Sequence, residues 1–404
     1  MFEMPPFWTC PKCVQQNAFG VLSVRENSYK RRCKVCRHSA TYWLNDVEKK
    51  VIYLDQFAIS EMMKAKASPT YESKHKAFWI ALHEQVHRLV LLQQAIFPDS
   101  DVHSDESIVN PRHDEMRSLY ESINGEVSLK NTTDVERFQM MDFAKSWIEG
   151  RGVPPFQADV DDVLQGIRNQ WLSPLRISVS SNMRIFADDI RTSRDSLSEM
   201  LSKVFEKWKD SNSSFEQQLN LELAALGTTI HQQIVEGALR VIRSFEIHDP
   251  NDLLNVAMSR VSILNASLLQ VFEGCGVPQE ECQSKIFEFL RWDGLHQLPY
   301  HRISAYIFTA LARKARSGQK RKPSRGMMND IRAISSYAPY VDAMFLDKEC
   351  VALLSENPLR TDLSYKARLF SLNDKDAFLE YLRNIERAAD PEVILQARDV
   401  YGIE

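Results

Sequence analysis

Two short apolar runs, Val51-Ile52-Tyr53-Leu54 and Ala343-Met344-Phe345-Leu346, lead straight into an aspartate, Asp55 and Asp347. Runs this rich in β-branched and aromatic residues predict buried strands of a parallel sheet. An acid just past the last apolar residue then stands at the carboxyl edge, where open α/β sheets build their sites. Between these runs the pattern is mostly helical. Phe78, Trp79, Leu82, Val86, Leu89 and Val90 recur at helical spacing and predict a helix over 72–95. Ala95-Ile96-Phe97 is a weak third strand, followed by the polar, acid-rich segment Pro98–Glu106.

Residues 125–295 read as almost entirely helical. Leu197, Met200, Leu201, Val204, Phe205 and Trp208 form one amphipathic stripe, and further helices are expected over 215–247, 251–272 and 280–291. From Pro299 the α/β character returns. A helix to about 316 leads to the basic loop Lys320–Arg325, and a short helix starts near Asn329-Asp330. The 342–346 strand, a strand over Tyr365–Leu372 and helices over Lys375–Ile385 and Pro391–Val400 complete the pattern. The expected fold is α/β: a parallel sheet flanked by helices, interrupted by a large all-α insertion and preceded by a small cysteine-bearing unit. The corresponding boundaries are 1–46, 47–124, 125–295 and 296–404.

The chain has 404 residues, of which 44% are apolar and 26% charged, so it can build two or three cores. No stretch approaches the length of an apolar membrane helix, and Met1–Trp8 lacks the pattern of a secretory signal. Four of the seven cysteines fall in two C-x-x-C pairs, which points to metal binding in a reducing compartment. A cytoplasmic location without membrane association is therefore expected. The net charge of −4 is unevenly spread. Residues 1–43 carry seven basic and two acidic residues, 294–329 carry eight basic and no acidic ones, and 125–295 carry 17 basic and 25 acidic. Such a chain is suited to meeting a polyanion at two places.

Cys10-Pro-Lys-Cys13 and Cys33-Lys-Val-Cys36 have the spacing of two zinc knuckles. Four thiolates satisfy a tetrahedral structural Zn²⁺, which replaces the core that so short a segment lacks. Arg31 and Arg32 lie beside the second knuckle with Tyr29, Tyr42 and Trp43 nearby, a mixture that contacts phosphates and stacks on bases. The segment is similar to the small zinc ribbons fused to many nucleic-acid enzymes.

Together, Tyr53-Leu54-Asp55 and the segment Gly326–Asp347 resemble the PIN-like nuclease domain over about 51–123 and 296–388. That family carries an acid after the first strand, a second in the middle, a third opening a late helix and a fourth after the next strand. Asp55, Asp330 and Asp347 match the first, third and fourth. Glu106 matches the second, with Asp105 behind it, and Asp342 is either a helper or a turn residue. The long insertion and Gln56, in place of a small polar residue, depart from the family pattern.

The resemblance implies Mg²⁺ or Mn²⁺ held by Asp55, Asp330 and Asp347. Glu106 would be a further ligand or a water-orienting base, and the cleaved strand would bear a 5′-phosphate. Carboxylates gathered on such an ion position water for attack on a phosphodiester. Lys320, Arg321, Lys322 and Arg325, just before Asp330, are placed to hold substrate backbone. Any one acid alone reads better as a solvated strand end or a helix cap.

A competing motif, His83-Glu84-x-x-His87, has the spacing of a zinc peptidase, with Glu106 further on as a third ligand. The two histidines also read as the edge of a buried helical stripe, and His103 and His113 as surface residues. The expected function is metal-dependent hydrolysis of RNA, or less readily of single-stranded DNA. The alternative is a non-catalytic binding module with a degenerate site, and the insertion is a candidate surface for a second copy or a protein partner.

Overall fold

A computed structural model describes residues 7–68, 70–173, 183–247 and 250–403. The first residues of the chain, read above for a signal sequence, and part of the 125–295 segment lie outside these. Among the described residues no helix is long and apolar enough to cross a membrane.

Strands β1 (Phe19–Arg25), β2 (Ser28–Cys33) and β3 (Ser39–Trp43) form a small antiparallel sheet. Its own core is limited to Cys10, Ala18, Phe19 and Cys33, with Trp8, Cys36, Ala40 and Tyr42 partly buried against them. So small an apolar cluster cannot hold a domain of this size by itself.

The main sheet contains β4 (Lys50–Leu54), β5 (Ala95–Ile96), β8 (Ala343–Phe345) and β9 (Arg368–Phe370), all parallel, in the order β5-β4-β8-β9. A two-stranded ribbon, β6 (Ser128–Leu129) with β7 (Leu164–Gln165), lies outside it. Successive strand residues face opposite sides of a sheet, and the burial divides accordingly. Ile52, Leu54, Ala343, Phe345 and Phe370 join one core with the helices Gln56–Ala67, Lys76–Leu91 and Lys375–Arg387. Val51, Tyr53, Met344 and Leu346 join the other, against Pro299–Arg316, Met327–Tyr337 and Lys348–Ser355. Helices on both faces explain why β8, and β4 beyond Lys50, are apolar throughout.

The expected fold class is present, with local differences. The helix expected over 251–272 is two, Pro250–Ala257 and Arg260–Gly274, because Ser259 caps the second by accepting from the Ser262 amide. The segment 125–295 is also less separate than its composition implies. Trp171 and Leu172 lie in the first core, Trp171 Nε1 donates to Asn45 O at 2.8 Å, and Tyr401 Oη donates to Leu172 O at 2.8 Å. A third, helical core gathers Met140, Phe143, Leu264, Leu268, Phe272, Ile286 and Phe289.

Asp342 proves to be a structural clamp at the amino-terminal edge of the sheet, remote from the other acids' edge. Its Oδ2 accepts from Val51 N at 2.9 Å, and Lys50 and Lys366 lie 3.6 and 3.3 Å from Oδ1. Asp342→Ala is expected to cost about 1–3 kcal/mol by stranding that amide, whereas Asp342→Asn keeps most of the bond. Urea unfolding of the two variants checks this.

Candidate functional site

The first centre is formed by the cysteines. Cys10 Sγ and Cys36 Sγ lie 3.6 Å apart, Cys13 Sγ and Cys33 Sγ 3.7 Å, and all four sulfurs fall within 4.8 Å of one another. Sulfurs about 2.3 Å from a tetrahedral ion are separated by about 3.8 Å, so the group fits a zinc-like metal. Burial would raise the Cys33 thiol, but the Cys36 and Val35 amides donate to its sulfur at 3.5 and 3.4 Å, and it is held down to about 6. A thiolate there is ready for a cation.

Beside this centre, Arg31 takes a different role from the phosphate contact expected of it. It is fully buried, its guanidinium 3.4 Å above the Trp8 ring, donating to Phe19 O at 2.9 Å and Asp399 O at 2.6 Å. It ties the small sheet to the terminal helix Pro391–Tyr401. The pleat explains the exchange: alternate residues of β2 face inward, so Arg31 is inside and Arg32 is exposed.

The second candidate site lies at the carboxyl edge of β4 and β8. Leu54 pairs with Phe345 in register, and Asp55 N donates to Phe345 O at 3.0 Å, so the two aspartate-ended strands are neighbours. Asp55 begins the helix Gln56–Ala67, and Asp347 caps Lys348–Ser355 by accepting from Glu349 N at 2.7 Å. Asp330 sits in the first turn of Met327–Tyr337. Glu106, near the end of the helix Asp101–Ile108, accepts from Asn329 Nδ2 at 3.0 Å.

These four acids feel one another. Burial first, then the charges of Glu106 and Asp347, push Asp55 up to about 7. Burial followed by Asp55, Glu106 and Asp347 drives Asp330 well above the usual carboxylate range. Asp347 is exposed and forms the solvent side of the group, while the other three are partly buried. Their oxygens nevertheless stand apart: among the described residues, only the cysteines bring three or more such ligand atoms within 4.8 Å. Oxygen donors of this kind suit Mg²⁺ or Mn²⁺, but the side chains would have to close further to share one ion.

Asp105 and Glu106 separate clearly. Glu106 acts on both Asp55 and Asp330, whereas Asp105 lines a neighbouring cavity of about 630 Å³ with Arg194, Asn329 and Arg332. Three residues at or beside the site were not singled out in the sequence as site residues. Asn329 holds Glu106. Cys350, one turn beyond Asp347, lies beside Asp330, and burial and these acids push its thiol well up. His103, expected at the surface, is buried beneath β4; its Nε2 lies 2.9 Å from Leu54 O and its ring stacks on Tyr53 at 4.7 Å. His113 is likewise buried. Adjacency to Asp330 was the available signal for Asn329.

Gln56 is a packing residue, receiving the Tyr120 hydroxyl on Oε1 and directing Nε2 to Met116 Sδ at 3.6 Å. In the basic loop, Lys322 pairs with Glu206 at 3.2 Å and Arg325 with Asp195, both acids on the helix Ala187–Lys209. Lys320 and Arg321 are exposed.

The peptidase motif does not assemble a ligand set. The His83 and His87 rings lie 4.3 Å apart, but Lys66 Nζ is 3.3 Å from His83 Nε2, Glu84 is exposed, and Glu106 is held by Asn329. Burial keeps the two imidazoles neutral, lowering them to about 4 and about 3.

Comparison of the chain with protein-family models, with curated proteins and with solved structures returns no match.

Proposed function

We propose that the protein is a metal-dependent nuclease acting on RNA, with a PIN-like acidic site and a separate structural zinc. The supporting observation is the gathering of Asp55, Glu106, Asp330 and Asp347 at one sheet edge, where burial first and then the charges of Glu106 and Asp347 lift Asp55 to about 7. A fold that gathers four carboxylates at one sheet edge gains by binding a divalent cation there.

Bound among them, Mg²⁺ or Mn²⁺ supplies Lewis acidity toward the phosphate and acidifies a water. The remaining roles belong to the chain. Asp55, Asp330 and Asp347 provide oxygens, and Asn329 orients Glu106, which receives a proton from the attacking water. Lys320 and Arg321 meet the phosphate backbone. The exposed pairs of Lys322 and Arg325 contribute little, so phosphate competes for those cations as well.

A second reading, a binding module that does not hydrolyse, is favoured by the wide spacing of the carboxylate oxygens. The two separate on incubation of the full chain with single-stranded RNA and Mn²⁺. The nuclease reading expects cleavage that falls about 10²–10³-fold in Asp55→Asn. Cleavage surviving the substitution would sink the acidic-site assignment, and intact RNA that stays bound would establish the binding module.

A further inference from the structure

The outer face of the small sheet has the makings of a binding surface, independent of the acidic site. Partners facing each other across an antiparallel sheet share a side, and the register pairs Gly20 with Arg32, Ser23 with Lys30, Arg25 with Ser28, and Ser28 with Trp43. These residues point away from the buried side carrying Tyr29, Arg31 and Cys33. Trp43 is 80% exposed at one end of the face. At the other end Phe7 lies over the strand at Gly20, where an added Cβ would come within 2.4 Å of its ring. Only glycine lets that ring settle there.

Between and beside the two aromatics stand Arg25, Lys30 and Arg32, with Lys34 5.2 Å from the Phe7 ring centre and Arg37 close by in sequence. All five are exposed, none forms an ion pair among the described residues, and β1, β2 and β3 contain no carboxylate. Four residue steps along β2 separate the pair at Arg32 from the pair at Ser28, about 13 Å at roughly 3.3 Å per step. Exposed aromatic rings flanking exposed cations offer stacking platforms for bases beside positive charge for phosphates.

We propose that this face binds single-stranded nucleic acid, with a base stacked on Trp43, a second on Phe7, and the intervening phosphates against Lys30 and Arg32. A flexible polyanion carrying unpaired planar bases satisfies both features together, whereas a duplex keeps its bases out of reach of the rings. The proposal needs neither the acidic site nor its metal.

Fluorescence anisotropy of labelled octauridylate with the full Asp55→Asn chain, without added divalent ions, provides the test. An octathymidylate arm distinguishes RNA from DNA, and a duplex and heparin serve as competitors. Trp43→Ala is expected to weaken single-strand binding roughly 5- to 150-fold. The pair Lys30→Ala and Arg32→Ala should reduce the salt slope by about 1.4. Unchanged affinity in Trp43→Ala, or equal competition by heparin or duplex, overturns the proposal. Because binding is read in a chain lacking Asp55, its failure leaves the nuclease reading to its own cleavage test.

Discussion

Asp55→Asn is expected to stabilise the metal-free protein above pH 7 and, in the same variant, to remove its stabilisation by Mn²⁺. The folded carboxyl titrates near 7 because burial and the charges of Glu106 and Asp347 oppose its ionisation, against an ordinary value of 3.8. Between those values the folded chain holds a proton that the unfolded chain releases. Stability therefore falls as pH rises from about 4 to 7 and stays reduced above. Asparagine cannot ionise, so this part of the pH dependence disappears.

A carboxyl lifted from 3.8 to about 7 corresponds to about 4 kcal/mol. The carboxyl is only partly buried and its repulsion is shared with its neighbours, so a gain of about 1–3 kcal/mol is the realistic size, or a few degrees in Tm. Mn²⁺ at about a hundred times its Kd should stabilise the wild type by about 2.7 kcal/mol and the variant far less. Calorimetry from pH 4 to 8, with and without the ion, reads both effects. A variant less stable than wild type at pH 8, yet still stabilised by Mn²⁺, would show that this acid neither suffers crowding nor binds the ion.

Removing the metal from the cysteine centre should unfold the small sheet while leaving the parallel sheet intact. Binding at structural zinc sites contributes about 10–16 kcal/mol of folding free energy, and the cluster around Cys10, Ala18, Phe19 and Cys33 is far too small to replace it. Hydrogen exchange after chelation should show protection lost across Phe19–Trp43. The effect should reach Pro391–Tyr401, because Arg31 no longer donates to Asp399 O, while β4 and β8 keep their protection. Cys33→Ser should reproduce this, and Cys275→Ser, at an exposed thiol outside the centre, should not. Retained protection in the stripped protein would mean that packing, not metal, holds the sheet.

Much of this organisation was legible in the chain because its causes are local. The two C-x-x-C pairs announce a four-thiol cluster fit for a metal by spacing alone. The runs before Asp55 and Asp347 are apolar throughout because helices cover both faces of the sheet, and a helical stripe such as Phe78 to Val90 reflects burial along one side. What depended on distant contacts was not legible. Arg31 and Arg32 are adjacent and chemically alike, yet the pleat buries one and exposes the other.

Asp342 reads in the sequence as either a helper of the site or a turn residue, and only its partners, Val51, Lys50 and Lys366, locate it at the opposite edge of the sheet. Glu106 parted from Asp105 only when the helix Met327–Tyr337 brought Asn329 against it. The strands' character and the cysteine centre were determined by sequence itself, since spacing and hydrophobic pattern act over a few residues. Which acids share a sheet edge was decided by the tertiary structure, because charges interact through space and packing alone sets that distance.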